Sequence, residues 1–125
     1  MYSYLIVFVG AGLGGAVRHA VNASTLAWLG PGFPVATLAV NVVGSFLMGV
    51  LAGWFALRGD PGGGWRLFLT TGLLGGFTTF STFSLDAVAL YQQGQWLAAA
   101  LYVVLSLFLA LAGLLGGLYL IRMLG

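Results

Sequence analysis

Residues 72–84 read GLLGGFTTFSTFS, and three phenylalanines and five hydroxyl side chains fall between Phe77 and Leu85, directly after the Gly75-Gly76 pair. Gly and β-branched Thr sit low on the helix-propensity scale, so Gly75-Gly76 followed by Thr78-Thr79 predicts a helix that breaks near Gly75-Thr79. Phe77, Phe80 and Phe83 recur every third residue, which draws a slowly drifting aromatic stripe along the resumed helix. Hydroxyls of Thr78, Ser81 and Ser84 run beside it. Phenylalanines at this spacing serve core packing well, but packing does not call for hydroxyls interleaved with them.

The surrounding chain says where this stretch lives. Of 125 residues, 61% are hydrophobic and 5% charged, against about 25% charged in a soluble domain. The chain is therefore read as an all-α integral membrane protein. It has no Lys, Glu or Cys, and apart from tyrosine its ionisable side chains are Arg18, Arg58, Arg66, Arg122, Asp60, Asp86 and His19. Thiolate metal sites, disulfides and paired-glutamate chemistry are excluded. A lone His with no Cys or Glu leaves no convincing nucleophile and base for an enzyme. The net charge of +2 is too small and scattered for a nucleic-acid face. MYSYLIVFVG at the start lacks the positive n-region and cleavage site of a signal peptide, and reads as a retained first helix.

Cut at its Gly/Pro and Gln-rich turns, the chain gives one transmembrane domain, 1–125, with helices at about 2–28, 35–57, 65–91 and 96–123, each near the roughly 20 residues a bilayer crossing needs. Trp28, Trp54, Trp65 and Trp96 fall near the ends, where interfacial aromatic belts lie. Loops this short hold no aqueous domain, so the function is expected inside the bilayer. Four spans are few for enclosing a pathway, which points to a homo-oligomer. Each span carries a small-xxx-small pair (Gly10/Gly14, Gly49/Gly53, Gly72/Gly76, Gly113/Gly117), predicting close helix packing. Arg58, Arg66 and Arg122 share one side, so positive-inside counting favours cytoplasmic termini.

Polar groups at membrane depth are costly, and these mark the candidate site. Thr37, Asn41 and Ser45 recur every fourth residue on one face of the second span; Tyr102 and Ser106 do so on the fourth. Ser and Thr can serve as interhelical glue; Asn41, with two N–H donors, cannot be satisfied by its own helix. Unwound backbone at a break is tolerated only where protein buries it or a cavity lies beside it, and its carbonyls suit a small cation. Hydroxyl and amide donors, with the positive edges of phenyl rings, suit a small anion. Arg18, deep in the first span, is expected to make a water-filled vestibule electropositive, or else to snorkel to the interface. His19 reads as interfacial. Asp86 reads as structural, pairing with an arginine or capping the helix after the break.

Over essentially its whole length the chain resembles the CrcB/Fluc fluoride channels, through Gly14-Gly15-Ala16-Val17-Arg18, Asn41-Val42-Val43-Gly44-Ser45-Phe46 and, most specifically, residues 72–84. The resemblance implies an antiparallel, dual-topology homodimer in the cell membrane that passively releases cytoplasmic fluoride and so protects against its toxicity. It implies that Phe80 and Phe83 line the pores with their ring edges, and that Asn41, Ser81, Thr37, Tyr102 and Ser106 supply polar contacts to fluoride. Arg18 matches the vestibule arginine. Gly75 and Thr78 match positions whose backbone carbonyls, from both subunits, hold a structural Na+. Two departures stand out: position 110 is Ala where some members continue the polar track with a hydroxyl, and the arginines are lopsided for a chain expected to insert both ways.

Two other classes fit a four-span chain of this size. A small proton-coupled multidrug transporter needs an intramembrane carboxylate, for which Asp86 is the one candidate near a helix interior. A non-transporting scaffold subunit would use Asn41 and the phenylalanines for packing alone.

Overall fold

A computed structural model describes all 125 residues. Helix α1 spans Tyr2–Leu29 and α2 Val35–Arg58; the third membrane crossing is made of two helices, α3 (64–77) and α4 (Phe80–Gln92); α5 spans Trp96–Leu124. Four segments, counting α3 and α4 as one, are long and apolar enough to cross a membrane. At 1.5 Å per residue the 28 residues of α1 extend about 42 Å, which clears a hydrocarbon core of about 30 Å.

Glycines decide which helices touch. A Cβ on Gly10 would lie 2.9 Å from the Phe68 carbonyl oxygen, one on Gly14 would collide with the Leu73 carbonyl, and one on Gly76 with Ala11. So α1 and α3 run side by side and parallel, backbone against backbone. On the other side of the bundle, Gly49 admits the Leu114 carbonyl and Gly117 that of Phe46, which joins α2 to α5 in the same way. Lipid offers no hydrophobic drive for helices to associate; close backbone approach supplies van der Waals contact instead. The outward faces follow the same logic. In α5 the buried positions are Ala99, Tyr102, Ser106, Gly117 and Ile121, while Leu101, Leu107, Leu111 and Leu115 are exposed to the surroundings.

The third crossing departs from the expectation in one respect. Gly75-Gly76 does not break the helix: Gly75 keeps helical angles (φ −61°, ψ −39°), and Gly76 is small because Ala11 of α1 packs on it. The chain leaves the helix at Thr78 (φ −92°, ψ 160°) and Thr79 (φ −155°, ψ 123°), one turn later. Phe77 therefore belongs to the helix before the break and packs against Gly44 of α2, so the expected three-ring stripe is cut to Phe80 and Phe83. Upstream of the break, Phe68–Leu74 is wound as a π-helix, a form that recurs at functional sites. Downstream, Thr79 caps α4: its Oγ1 accepts the Thr82 N–H at 3.2 Å, satisfying a donor that the first turn leaves free.

Candidate functional site

The break exposes backbone groups at a depth where no water reaches lipid-facing chain, and two long polar side chains take them up. Asn41 accepts the Thr79 N–H at Oδ1 (2.8 Å) and donates Nδ2–H to the Thr79 carbonyl (3.0 Å). Arg18 donates Nε–H to the Gly76 carbonyl at 3.1 Å. Thr78 turns its hydroxyl back to the Leu74 carbonyl at 2.9 Å. The structure thus brings Arg18, Asn41 and Thr78, far apart in the chain, onto one short unwound segment.

Cavities lie on either side of it. A groove of about 320 Å³ between α2, α4 and α5 is lined by Asn41, Ser45, Thr79, Phe80, Phe83 and Ser106, with Ala110 at the position where a further hydroxyl would continue the track. A second cavity of about 300 Å³ is lined by Arg18, His19 and Asn22 of α1 together with Thr37, Thr79 and Thr82. Thr79 borders both, so the Asn41–Thr79 clamp is the partition between them. Arg18 uses one guanidinium N–H on the backbone and faces the polar cavity, so it braces the break as well as bordering the cavity where a vestibule was expected.

The aromatic rings form a chain that starts at the groove with Phe80 and Phe83. Phe80 and Phe83 have centroids 5.5 Å apart, Phe83 and Tyr102 5.2 Å, and Tyr102 meets Phe33 edge-on at 5.5 Å. Tyr102 is wholly buried, whereas Phe80 is 79% exposed on the single chain. Ser106 is buried, and its hydroxyl has no hydrogen-bond partner although it borders the groove. A buried hydroxyl left unpaired costs on the order of 1–3 kcal/mol.

The remaining expected residues are placed as follows. Thr37 is buried and borders the polar cavity rather than the groove. Ser81 is exposed and sits 3.3 Å from the Thr79 hydroxyl. Gly75 is exposed, and a Cβ there would meet only the Thr70 carbonyl, at 3.7 Å. Asp86 pairs with no arginine and caps no helix: it accepts the Tyr102 hydroxyl at 3.2 Å. Thr79, Asn22 and Thr82 escaped the sequence reading as site residues; the signal for Thr79 was its place three residues before Thr82, at a helix start. His19, expected at the interface, borders the polar cavity.

A family model described as CrcB-like protein, Camphor Resistance (CrcB), matches residues 5–118. The chain belongs to the CrcB family. Among its relatives, the fluoride-specific ion channel FluC of Methylobacterium nodulans is 56% identical over 125 residues, covering both chains completely. The fluoride-specific ion channel FluC 2 of Nitrobacter hamburgensis is 52% identical over 96% of this chain and 97% of its own. That of Granulibacter bethesdensis is 52% identical over 98% of this chain and 96% of its own. Four spanning segments and relatives of this kind make this CrcB chain a multi-pass membrane protein.

Proposed function

We propose that this chain forms a fluoride-selective channel that passively exports cytoplasmic fluoride across the cell membrane and so protects against fluoride toxicity. It is not an enzyme; the relatives named above are ion channels. The single observation that carries the anion reading is the unpartnered Ser106 hydroxyl, bordering a groove beside Asn41, Phe80 and Phe83 with no carboxylate on its walls. A cation path would be lined by carboxylates or stacked carbonyls. A small anion takes up O–H and N–H donors in place of its water, and ring edges carry the positive end of the aromatic quadrupole.

The path runs from the polar cavity past the Asn41–Thr79 partition. Arg18 concentrates anions in that cavity. The one Asn41 N–H not used on Thr79, the Ser106 hydroxyl and the edges of Phe80 and Phe83 would pass fluoride along the groove, with Tyr102 fixing Phe83 from behind. Thr37 contributes a hydroxyl on the cavity side of the clamp, and Ser81 one beside the Thr79 hydroxyl.

One chain leaves Phe80 bare and the groove open on a side, which supports a homodimer in which a second copy closes it; the antiparallel, dual-topology arrangement is part of the same reading. In the same reading the Gly75 and Thr78 backbone carbonyls would hold a structural Na+ at the break, where Gly75 is exposed and Thr78 has extended angles. The ion would tie the breaks of two subunits together.

Fluoride efflux from liposomes holding the purified protein, followed with an electrode beside a chloride control, tests the proposal. Fast fluoride release with little chloride release is the expected result. No release from a well-folded protein in Na+ would overturn it.

A further inference from the structure

The ion path uses Arg18 alone of the four arginines. The others share the opposite face: Arg58 ends α2, Arg66 lies in the first turn of α3 and Arg122 in the last turn of α5. Asp60 is the one carboxylate there, and its Oδ2 accepts the Arg66 backbone N–H at 3.0 Å. The face thus carries three arginines against one carboxylate side chain, an excess that sets orientation by the positive-inside rule and is also available to a ligand.

Beneath it lies a groove of about 390 Å³ between α2 and α3, walled by Trp54, Phe55, Trp65 and Leu69, with Gly59 and Asp60 at its mouth. The Arg58 guanidinium sits 5.0 Å from the centroid of the Trp54 ring, a cation–π contact that holds the charge against the groove wall. Going outward, the surface passes from aliphatic to indole to guanidinium. That is the order of a phospholipid: acyl chain, glycerol region, phosphate. The excess of arginine selects the headgroup, because basic side chains at a membrane surface attract anionic lipid and gain nothing from a zwitterion of zero net charge.

We propose that the α2–α3 groove seats an acyl chain of an anionic phospholipid whose phosphate lies against Arg58 and Arg66. Trp54 has two parts in this: its ring bounds the acyl chain and it presents Arg58 to the phosphate.

Tryptophan quenching by bromine-labelled lipid tests this on the full chain in vesicles. Trp28 and Trp96, on the opposite face, are changed to Phe so that Trp54 and Trp65 report. In phosphatidylcholine vesicles containing about a tenth brominated phosphatidylglycerol, quenching should match an enrichment of about five-fold per arginine over bulk lipid. The same fraction of brominated phosphatidylcholine should quench only in proportion to its amount. Arg58→Gln should remove most of the preference while fluoride efflux and elution as a folded species stay unchanged; Arg66→Gln, whose backbone N–H still reaches Asp60, is the second variant. Equal quenching by the two lipids would overturn the proposal, as it would show bulk contact only. So would absence of quenching by either, since the groove would then be covered by a second copy of the chain.

Discussion

Asn41 holds both backbone polar groups of Thr79, with N–H to Oδ1 at 2.8 Å and Nδ2–H to the carbonyl at 3.0 Å. A side-chain amide has the same donor and acceptor as a peptide unit, so it closes on an extended residue as a neighbouring strand would. Buried backbone groups must find partners, and lipid supplies none; one asparagine on α2 makes the break in the third crossing tolerable.

Replacing Asn41 by Leu should therefore lower stability by about 2 kcal/mol, two hydrogen bonds at about 1 kcal/mol each, and abolish fluoride efflux. Asn41→Asp keeps the Oδ1 acceptor, loses the donor and adds negative charge to the groove. It should lower stability at least as much as the Leu variant, because a carboxylate oxygen then faces the Thr79 carbonyl and a charge is buried at membrane depth, and lose efflux as fully. Thermal unfolding in detergent and electrode efflux from liposomes separate the two effects; an Asp variant with normal efflux would refute the clamp as part of the path.

Phe80 and Phe83 differ in what they touch. Because Phe80 is largely bare on the single chain, Phe80→Ile should leave the chain's own fold almost unchanged while cutting efflux by about ten-fold, equivalent to about 1.4 kcal/mol on a barrier. Phe83 packs with tilted rings against both Phe80 and Tyr102, so Phe83→Ile should also lower the unfolding midpoint. Full efflux in a folded Phe80 variant would favour a packing role and the scaffold alternative.

Arg18→Lys separates field from geometry. Lysine keeps the charge but lacks the Nε–H that reaches the Gly76 carbonyl, a charged hydrogen bond worth about 1.5–3 kcal/mol. Stability should fall while the salt dependence of efflux, which reports charge near the cavity, is retained. Arg18→Met should lose both. If the two variants behave alike, the charge at position 18 is immaterial; an Arg18→Lys protein as stable as the parent would show the contact to Gly76 to be immaterial.

Asp86→Asn preserves an oxygen for the Tyr102 hydroxyl and removes the one carboxylate placed for proton exchange. Efflux should persist at near wild-type rate without a pH gradient. Loss of transport together with loss of proton coupling would instead favour an exchanger.

Gly49 and Gly12 form a matched pair. A methyl at Gly49 meets the Leu114 carbonyl, whereas one at Gly12 meets nothing within 4 Å. Gly49→Ala should destabilise by about 1–3 kcal/mol through overpacking, and Gly12→Ala should be neutral or stabilising by up to about 1 kcal/mol through helix propensity. Unfolding midpoints of the two variants check the sign of each.

Composition alone made this an all-helical membrane chain with four crossings, because 5% charge and apolar runs of bilayer length leave no other solvent for it. The glycine pairs foretold close contact, and the donor-rich, carboxylate-poor stretch around Phe80 is what made an anion the expected guest; both are properties of residue type and spacing. Pairing of helices was beyond the sequence, since four similar glycine pairs do not say that α1 takes α3 and α2 takes α5. Propensity placed the break within Gly75-Thr79 but not at its residues: Gly76 stays helical because Ala11 of α1 packs on it, and the chain opens at Thr78-Thr79. Tertiary contact also decided the partners: Asn41 with Thr79, Arg18 with Gly76, and Asp86 with Tyr102 rather than an arginine. Residue types set which groups must be satisfied in lipid, and only the packed helices set which neighbour is close enough to satisfy them.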